Sequence, residues 1–211
     1  MTESVFPLDN KTSHTERTAF LNGGVNIQRY EKLKYSQFEK LTEKQIGFFW
    51  QPSEIDILRD AKDFKELTAH EQHIFTSNLK RQILLDSVQG RAPTAAFAPI
   101  CSLPELETWI QTWTFSETIH SRSYTHIIRN IYNVPKDVFN TIHDTQEIVD
   151  MASSVGRYYD DLHQMNCRKE LGFDAVTDDS HIKAIWLALN ASYALEAFRF
   201  MVSFATSLAM V

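Results

Sequence analysis

The sequence is poor in residues that break helices, with six glycines and six prolines among 211 residues, which argues against a turn-rich β fold. It contains two cysteines, Cys101 and Cys167, far apart and outside any Cys-x-x-Cys pair, and these indicate free thiols in a reducing compartment. The net charge of -6 offers no basic surface for nucleic acid. Because no secretory signal follows Met1, we expect a cytoplasmic protein.

The chain is rich in apolar residues instead, with 43% hydrophobic and 12% aromatic content, enough for one domain with a substantial core. Residues 1–28 are polar and predict an N-terminal arm. Residues 29–211 predict one all-α domain of long, roughly antiparallel helices. Helical spacing of apolar residues places those helices at Tyr30–Trp50, Thr68–Val88, Ser102–Tyr132 and Ile182–Val211, with two shorter ones between Pro135 and Leu171.

The last of these segments is apolar enough to raise the question of a membrane span. Asn190, Glu196 and Arg199 lie near its middle, and each is costly in lipid. We therefore expect a buried bundle helix and no membrane partner.

One face of the helix Ser102–Tyr132 carries unusual chemistry. Glu117, His120 and Tyr124 follow one another at about one turn each, at about 100° per residue. An acid, an imidazole and a phenol on an inward-facing stripe are expensive to bury. The Glu-x-x-His spacing gives a reason, because an oxygen and a nitrogen one turn apart can bind one metal ion.

Three of the long helices each carry an acid inside an apolar run: Asp86, Glu117 and Glu196. Buried acids must be paired, neutralised or bound to a metal. A set of carboxylates with one imidazole suits iron or manganese better than zinc, which favours more nitrogen and sulfur ligands. The joint placement therefore predicts a metal site.

Structural explanations for the same residues remain open at this point. Asp86 is also compatible with pairing to Arg81 or Arg91, and Glu196 with pairing to Arg199 one turn on. Tyr124 fits an ordinary core position, and a single Glu-x-x-His on a helix is common by chance. The metal hypothesis depends on one acid occurring at mid-length of each long helix.

Four segments, in order and over nearly the whole chain, resemble one known family. The segments are Glu43–Pro52, Leu85–Arg91, Phe115–Arg129 and Ala194–Phe200. They are similar to the small, radical-generating subunit of class I ribonucleotide reductase, most closely its bacterial and bacteriophage type. The resemblance implies a ferritin-like long-helix bundle and an oxidoreductase activity, the reduction of ribonucleotides for DNA precursor synthesis.

The resemblance also implies a di-iron cofactor, or a manganese one, with roles for single residues. Asp86, Glu117 and His120 match the ligands of the first iron, and Glu117 matches the residue that bridges both irons. Glu196 matches a ligand of the second iron. Partners implied by the resemblance are the large subunit and a second copy of the small subunit.

Four further positions match the radical machinery of that family. Tyr124 matches the tyrosine that becomes a stable radical. Phe200 and Phe204 match the apolar pocket around the radical, and Trp50 matches an electron-transfer tryptophan. An aromatic pocket suits this role, because a tyrosyl radical survives only where water and reductants are excluded.

The chain departs from the family pattern after Glu196, where no Asp, Glu or His follows. The family needs a second Glu-x-x-His, so we expect a bundle that is incomplete at the C-terminus. The chain is then a fragment or a split-gene product whose partner chain supplies the missing pair. The alternatives are an inactive truncated paralogue or decoy that only pairs with intact small subunits, and another di-iron oxidase. The di-iron oxidase alternative is disfavoured by the combination of Asp86 and Tyr124.

Overall fold

The protein was analysed as a computed structural model, which describes Ser4, residues 6–172 and residues 176–210. Within those residues the regular structure is helical, and the only β pairing is an isolated bridge between Phe20 and Cys101. The all-α prediction is confirmed. None of the helices in this part of the chain combines the length and the apolar character that crossing a membrane requires.

The helices alternate with short turns along the chain. Turns of 3-10 type occur at Pro52–Glu54, Ala98–Ile100 and Ile142–Asp144, and a π turn at Leu195–Arg199. The α-helices are α1 (Ser36–Gly47), α2 (Asp60–Glu66), α3 (Ala69–Gln89), α4 (Ala92–Phe97), α5 (Pro104–Ile131), α6 (Pro135–Asn140), α7 (Gln146–Glu170), α8 (Asp178–Ala194) and α9 (Phe200–Leu208).

Local sequence signals fix the starts of the two helices that matter most for the site. At the start of α3, the Glu71 amide donates to the Thr68 hydroxyl (3.3 Å) and the Thr68 amide donates to the Glu71 carboxylate (2.8 Å). This reciprocal pair is a capping box, and it lies at the predicted helix start Thr68. Helix α5 begins at Pro104, whose fixed φ and missing N–H suit a first turn. Both predicted starts are confirmed.

Helix α1 begins at Ser36, later than the predicted Tyr30. The reason is a tertiary contact: Glu105 Oε1 accepts hydrogen bonds from the backbone amides of Lys34 (3.0 Å) and Tyr35 (3.1 Å). These amides precede the helix, and a carboxylate there is favourable at a helix N-terminus. A side chain from α5 therefore sets where α1 starts.

Two short helices were not anticipated from the sequence. The connection Ala92–Ile100, which lies between two predicted helices, forms α4 and a 3-10 turn, with Pro93 in the first turn of α4. Helix α2 begins with Asp60 in its first turn and ends with Lys65 in its last. Those charges complement the helix dipole. They indicate a helix here, although the segment is too short to show a long apolar periodicity.

The predicted final helix differs from the structure at its start and in its middle. It starts at Asp178 rather than Ile182, because the Thr177 hydroxyl accepts a hydrogen bond from the Ser180 amide (3.2 Å) and caps it. It is then interrupted by the π turn before α9. Residues 173–175, which precede this helix, and its predicted end at Val211 lie outside the described residues.

The chain divides into two compact units. The first comprises 1–49, 91–116 and 158–188, and the second comprises 50–90, 117–157 and 189–211. In the first unit, the buried Arg17 organises the predicted N-terminal arm by donating to the carbonyls of Asn10, Thr12 and Gly24. The second unit has a core cluster of five buried residues, Leu79, Ile83, Ile128, Val138 and Ile142.

Candidate metal centre

Within the second unit, α3 and α5 bring three potential metal ligands together. Asp86 lies near the end of α3, and Glu117 and His120 lie one turn apart on α5. One ligand atom from each residue lies within 4.8 Å of the others. No other group of three potential ligands at such distances occurs in the described part of the chain. We refer to Asp86, Glu117 and His120 as the ligand triad.

Gly90 follows the last residue of α3 and lies close to α5. A Cβ added to Gly90 would lie 3.7 Å from the Glu117 Cβ and 3.1 Å from the Asp86 carbonyl oxygen. The latter distance is tighter than ordinary contacts, so a side chain there would press on the backbone that carries Asp86.

The ligand triad is largely removed from solvent. Asp86 is 1% exposed and Glu117 is 5% exposed, whereas His120 is half-buried. His120 Nδ1 lies 2.9 Å from Glu117 Oε2 and 3.8 Å from Asp86 Oδ2. Two buried acids therefore share the site with one half-buried imidazole.

Burial makes the charged form of Asp86 costly. Burial and the neighbouring Glu117 carboxylate together raise the pKa of Asp86 to about 7, against the opposing hydrogen bond from Tyr124. The hydrogen bond to Glu117 raises the pKa of His120 against the opposing effect of burial. A cation bound between Asp86 and Glu117 would offset the electrostatic repulsion between their carboxylates, which burial strengthens. Carboxylate oxygens with one imidazole nitrogen are a donor set that fits iron or manganese.

Tyr124 lies one turn beyond His120 and adjoins the ligand triad. Its hydroxyl donates a hydrogen bond to Asp86 Oδ2. Burial and the Asp86 carboxylate both raise the pKa of Tyr124, so the phenol stays protonated. The ring packs against the core cluster of the second unit, which shields it with aliphatic side chains. The sequence did not identify that cluster as the surroundings of Tyr124.

Glu196 does not join the described group of ligand atoms that lie within 4.8 Å of one another. It nevertheless lies close enough to Glu117 for the two carboxylates to interact electrostatically. It sits on the π turn, a distortion that occurs often at functional sites. Burial and the Glu117 charge together raise the pKa of Glu196 to about 7.

Gln89 holds this carboxylate and was missed from the sequence. It is fully buried, and its Nε2 lies 2.6 Å from Glu196 Oε1 and 3.2 Å from Ser192 Oγ, donating to both. A signal was present: Gln89 follows Asp86 by three residues, which puts both on one face of α3.

The arginine pairings that offered a structural explanation for the acids do not form. In the described part of the chain, Asp86 has an ion-pair distance only to His120, and Glu196 has none. Arg199 donates instead to the Met151 carbonyl (3.1 Å) and the Ser154 hydroxyl (2.7 Å).

None of the described hydrogen bonds or ring contacts joins the remaining predicted site residues to the ligand triad. Trp50 is half-buried before the 3-10 turn Pro52–Glu54, and no described hydrogen bond or ring contact joins it to the triad. Phe200 is buried and Phe204 is exposed, with their rings stacked at 6.5 Å between centroids. Their roles in electron transfer and in shielding a radical stay predictions.

Comparison with known proteins decides the family. The family model for "Ribonucleotide reductase, small chain" matches residues 28–211. The chain belongs to the small-chain family of ribonucleotide reductase. The ribonucleoside-diphosphate reductase subunit beta of Buchnera aphidicola subsp. Baizongia pistaciae is 50% identical to this small-chain member, over 95% of this chain and 56% of that protein. The corresponding subunit of bacteriophage T4 is 44% identical, over 88% of this chain and 53% of that protein.

These relatives confirm the resemblance to the bacterial and bacteriophage type of the small chain. They also show that this chain spans little more than half of their length, 56% and 53% respectively.

Solved structures confirm the ferritin-like fold of the small-chain family. The ribonucleotide reductase R2 subunit from Clostridium botulinum superposes with a TM-score of 0.80 at 21% identity, over 99% of this chain and 61% of that one. The dimanganese(II)-NrdF of Streptococcus sanguinis gives a TM-score of 0.61 at 16% identity, over 69% of this chain and 52% of that one. At such identities the likeness concerns the fold alone.

Proposed function

We propose that this chain acts as part of the small subunit of a ribonucleoside-diphosphate reductase, in the cytoplasm. In this role it contributes Asp86, Glu117, His120 and Glu196 to a dinuclear metal centre and Tyr124 as the radical-bearing residue. The relatives that are named as this enzyme's subunit support the proposal. The observation that carries it is the convergence of the ligand triad beside the Tyr124 hydroxyl.

The division of labour follows from the contacts. Asp86, Glu117 and His120 would hold one metal, and Glu117 and Glu196 would face the second. When bound, an iron or manganese pair supplies the one-electron chemistry with oxygen that oxidises a nearby phenol. The Tyr124 hydroxyl donates a hydrogen bond to Asp86 Oδ2. Asp86 would therefore accept the phenol proton when Tyr124 loses an electron. The aliphatic cluster against the ring excludes water.

The partners follow the same proposal. The large subunit would receive the radical. A second small-subunit copy, or a chain that carries another Glu-x-x-His, would accompany this one. The chain's own four carboxylate and imidazole ligands do not include that second pair.

A metal titration tests the first half of the proposal. Purified, metal-free chain is titrated with Co²⁺, whose visible absorption reports its ligands. We expect binding that displaces protons, and we expect it to disappear in His120→Ala. Wild-type protein that binds Co²⁺ no better than His120→Ala would contradict the proposed centre.

Electron paramagnetic resonance tests the second half. The chain is combined with a polypeptide that carries a second Glu-x-x-His, loaded anaerobically with Fe²⁺ and exposed to oxygen. We expect a tyrosyl signal that is absent from Tyr124→Phe. A signal of equal size in that variant would assign the radical to another residue.

A further inference from the structure

Arg81 on α3 and Arg199 at the end of the π turn are half-buried cations in the second unit. Neither forms an ion pair with any carboxylate in the described part of the chain. Burial lowers the pKa of Arg81, and the Arg199 charge lowers it further. Two guanidiniums in this position are costly, so their hydrogen bonds must provide the compensation.

Those hydrogen bonds converge on the π turn and the elements beside it. Arg81 Nη2 donates to the Arg199 carbonyl oxygen, and its Nη1 donates to the Ser203 hydroxyl at 3.0 Å. Arg199 Nη1 donates to the Met151 carbonyl and the Ser154 hydroxyl on α7. Together the two arginines tie α3, α7 and α9 to the last residue of the π turn.

The π turn needs such support because it contains one residue more than an α-helical turn. Its ring closes with the Phe200 amide donating to the Leu195 carbonyl. If the turn relaxed to α-helical spacing, Glu196 would shift by one residue in register, which rotates a helical side chain by about 100°. Its carboxylate would then leave Gln89, which it contacts at 2.6 Å.

We propose that Arg81 and Arg199 are positioning residues that hold the π turn and thereby aim the Glu196 carboxylate. The inference rests on the proposed function, in which Glu196 is a metal ligand. Gln89 holds the carboxylate directly, and the arginine pair holds the backbone that carries it.

A double-mutant cycle on Co²⁺ affinity separates positioning from general stability. The variants are Arg81→Met, Glu196→Gln and the two combined. Lys80→Met is the control, because Lys80 also donates from α3 to a backbone carbonyl, that of Thr141 at 3.3 Å. We expect Arg81→Met to weaken binding about tenfold, as loss of a residue that orients a ligand does. We expect no further weakening when it is added to Glu196→Gln, and a change below about twofold for Lys80→Met.

A second readout is hydrogen exchange of the amides in 199–204, which we expect to be faster in Arg81→Met and unchanged in Lys80→Met. If Arg81→Met fails to fold, Arg81→Lys carries the same test, since it keeps the charge and loses the two-acceptor geometry.

Several results would overturn the inference. One is an equal loss of Co²⁺ affinity when Arg81→Met is made in the wild-type protein and in Glu196→Gln. Another is an unchanged Co²⁺ affinity in Arg81→Met. If wild-type protein binds Co²⁺ and Glu196→Gln binds it equally well, the inference falls while the ligand triad stands. If wild-type protein binds no Co²⁺, the proposed centre falls and the inference with it.

Discussion

Two of the buried acids in the described part of the chain, Glu105 and Asp86, have contrasting surroundings. Glu105 in the first unit is 0% exposed, and Asp86 in the second is 1% exposed. Glu105 Oε1 accepts hydrogen bonds from two backbone amides at the start of α1, while its Oε2 has no partner among the described residues. Asp86 instead faces another acid, an imidazole and a phenol.

The comparison shows that burial alone does not mark a functional acid. Backbone amides are fixed donors that stabilise a carboxylate permanently, so Glu105 serves the fold. Asp86 lies against Glu117, which raises the energy of its charged form unless a cation is present. The groups that surround a buried acid therefore indicate whether the acid stabilises the fold or belongs to a functional site.

The largest effect we expect is on metal affinity. Asp86→Asn removes a charged ligand and should weaken Co²⁺ binding by at least about 100-fold, more than the loss of a residue that only orients a ligand. Glu105→Gln, the matched change at the other buried acid, should leave the affinity unchanged. Titration followed by visible absorption measures both, and equal losses in the two variants would erase the distinction.

The stability of the metal-free protein should show the reverse pattern. Glu105→Gln weakens two charge-assisted hydrogen bonds and should lower the free energy of unfolding by about 2 kcal/mol. Asp86→Asn removes a buried charge that Glu117 repels, and should leave that free energy unchanged or raise it. Urea denaturation tests this, and a larger loss in Asp86→Asn would show that Asp86 also stabilises the fold.

The pH dependence of that stability sharpens the contrast. The pKa of Asp86 is about 7 in the folded protein, against roughly 4 for an unfolded chain. The folded state thus holds the proton more tightly, and the resulting stability is complete below about pH 4 and lost as the pH rises through about 7. Metal-free wild type should lose stability across this window, and Asp86→Asn should lose less. Equal slopes would contradict the raised pKa.

The smallest effect concerns Gln89. Gln89→Leu removes the donors to Glu196 and Ser192 and should lower the free energy of unfolding by about 1 kcal/mol. Metal affinity should fall by about tenfold. The same two measurements test it, and an unchanged affinity would show that Glu196 finds its position without this contact.

Much of this architecture was predictable, because the signals are local. Thr68 and Glu71 mark the start of α3 through their own hydrogen bonds. The Glu117 and His120 spacing places both side chains on one helical face, which the structure brings to Asp86.

The rest depended on contacts between distant parts of the chain. Glu105 reads as an ordinary first-turn acid, yet it reaches residues about 70 positions earlier in sequence, at separations of 71 and 70. Arg81 donates to the Arg199 carbonyl at the end of the π turn across 118 positions of sequence, and no local pattern reveals that contact. Gln89 gained its role only when α8 and the π turn packed beside α3.

The most direct test of the account is the position of a bound metal. Crystals of the chain soaked in Mn²⁺ would give an anomalous difference peak at the metal. The account predicts the strongest peak between Asp86, Glu117 and His120, and its loss in Asp86→Asn crystals. A strongest peak elsewhere, or none at saturating Mn²⁺, would contradict the claim that these buried acids form a metal centre.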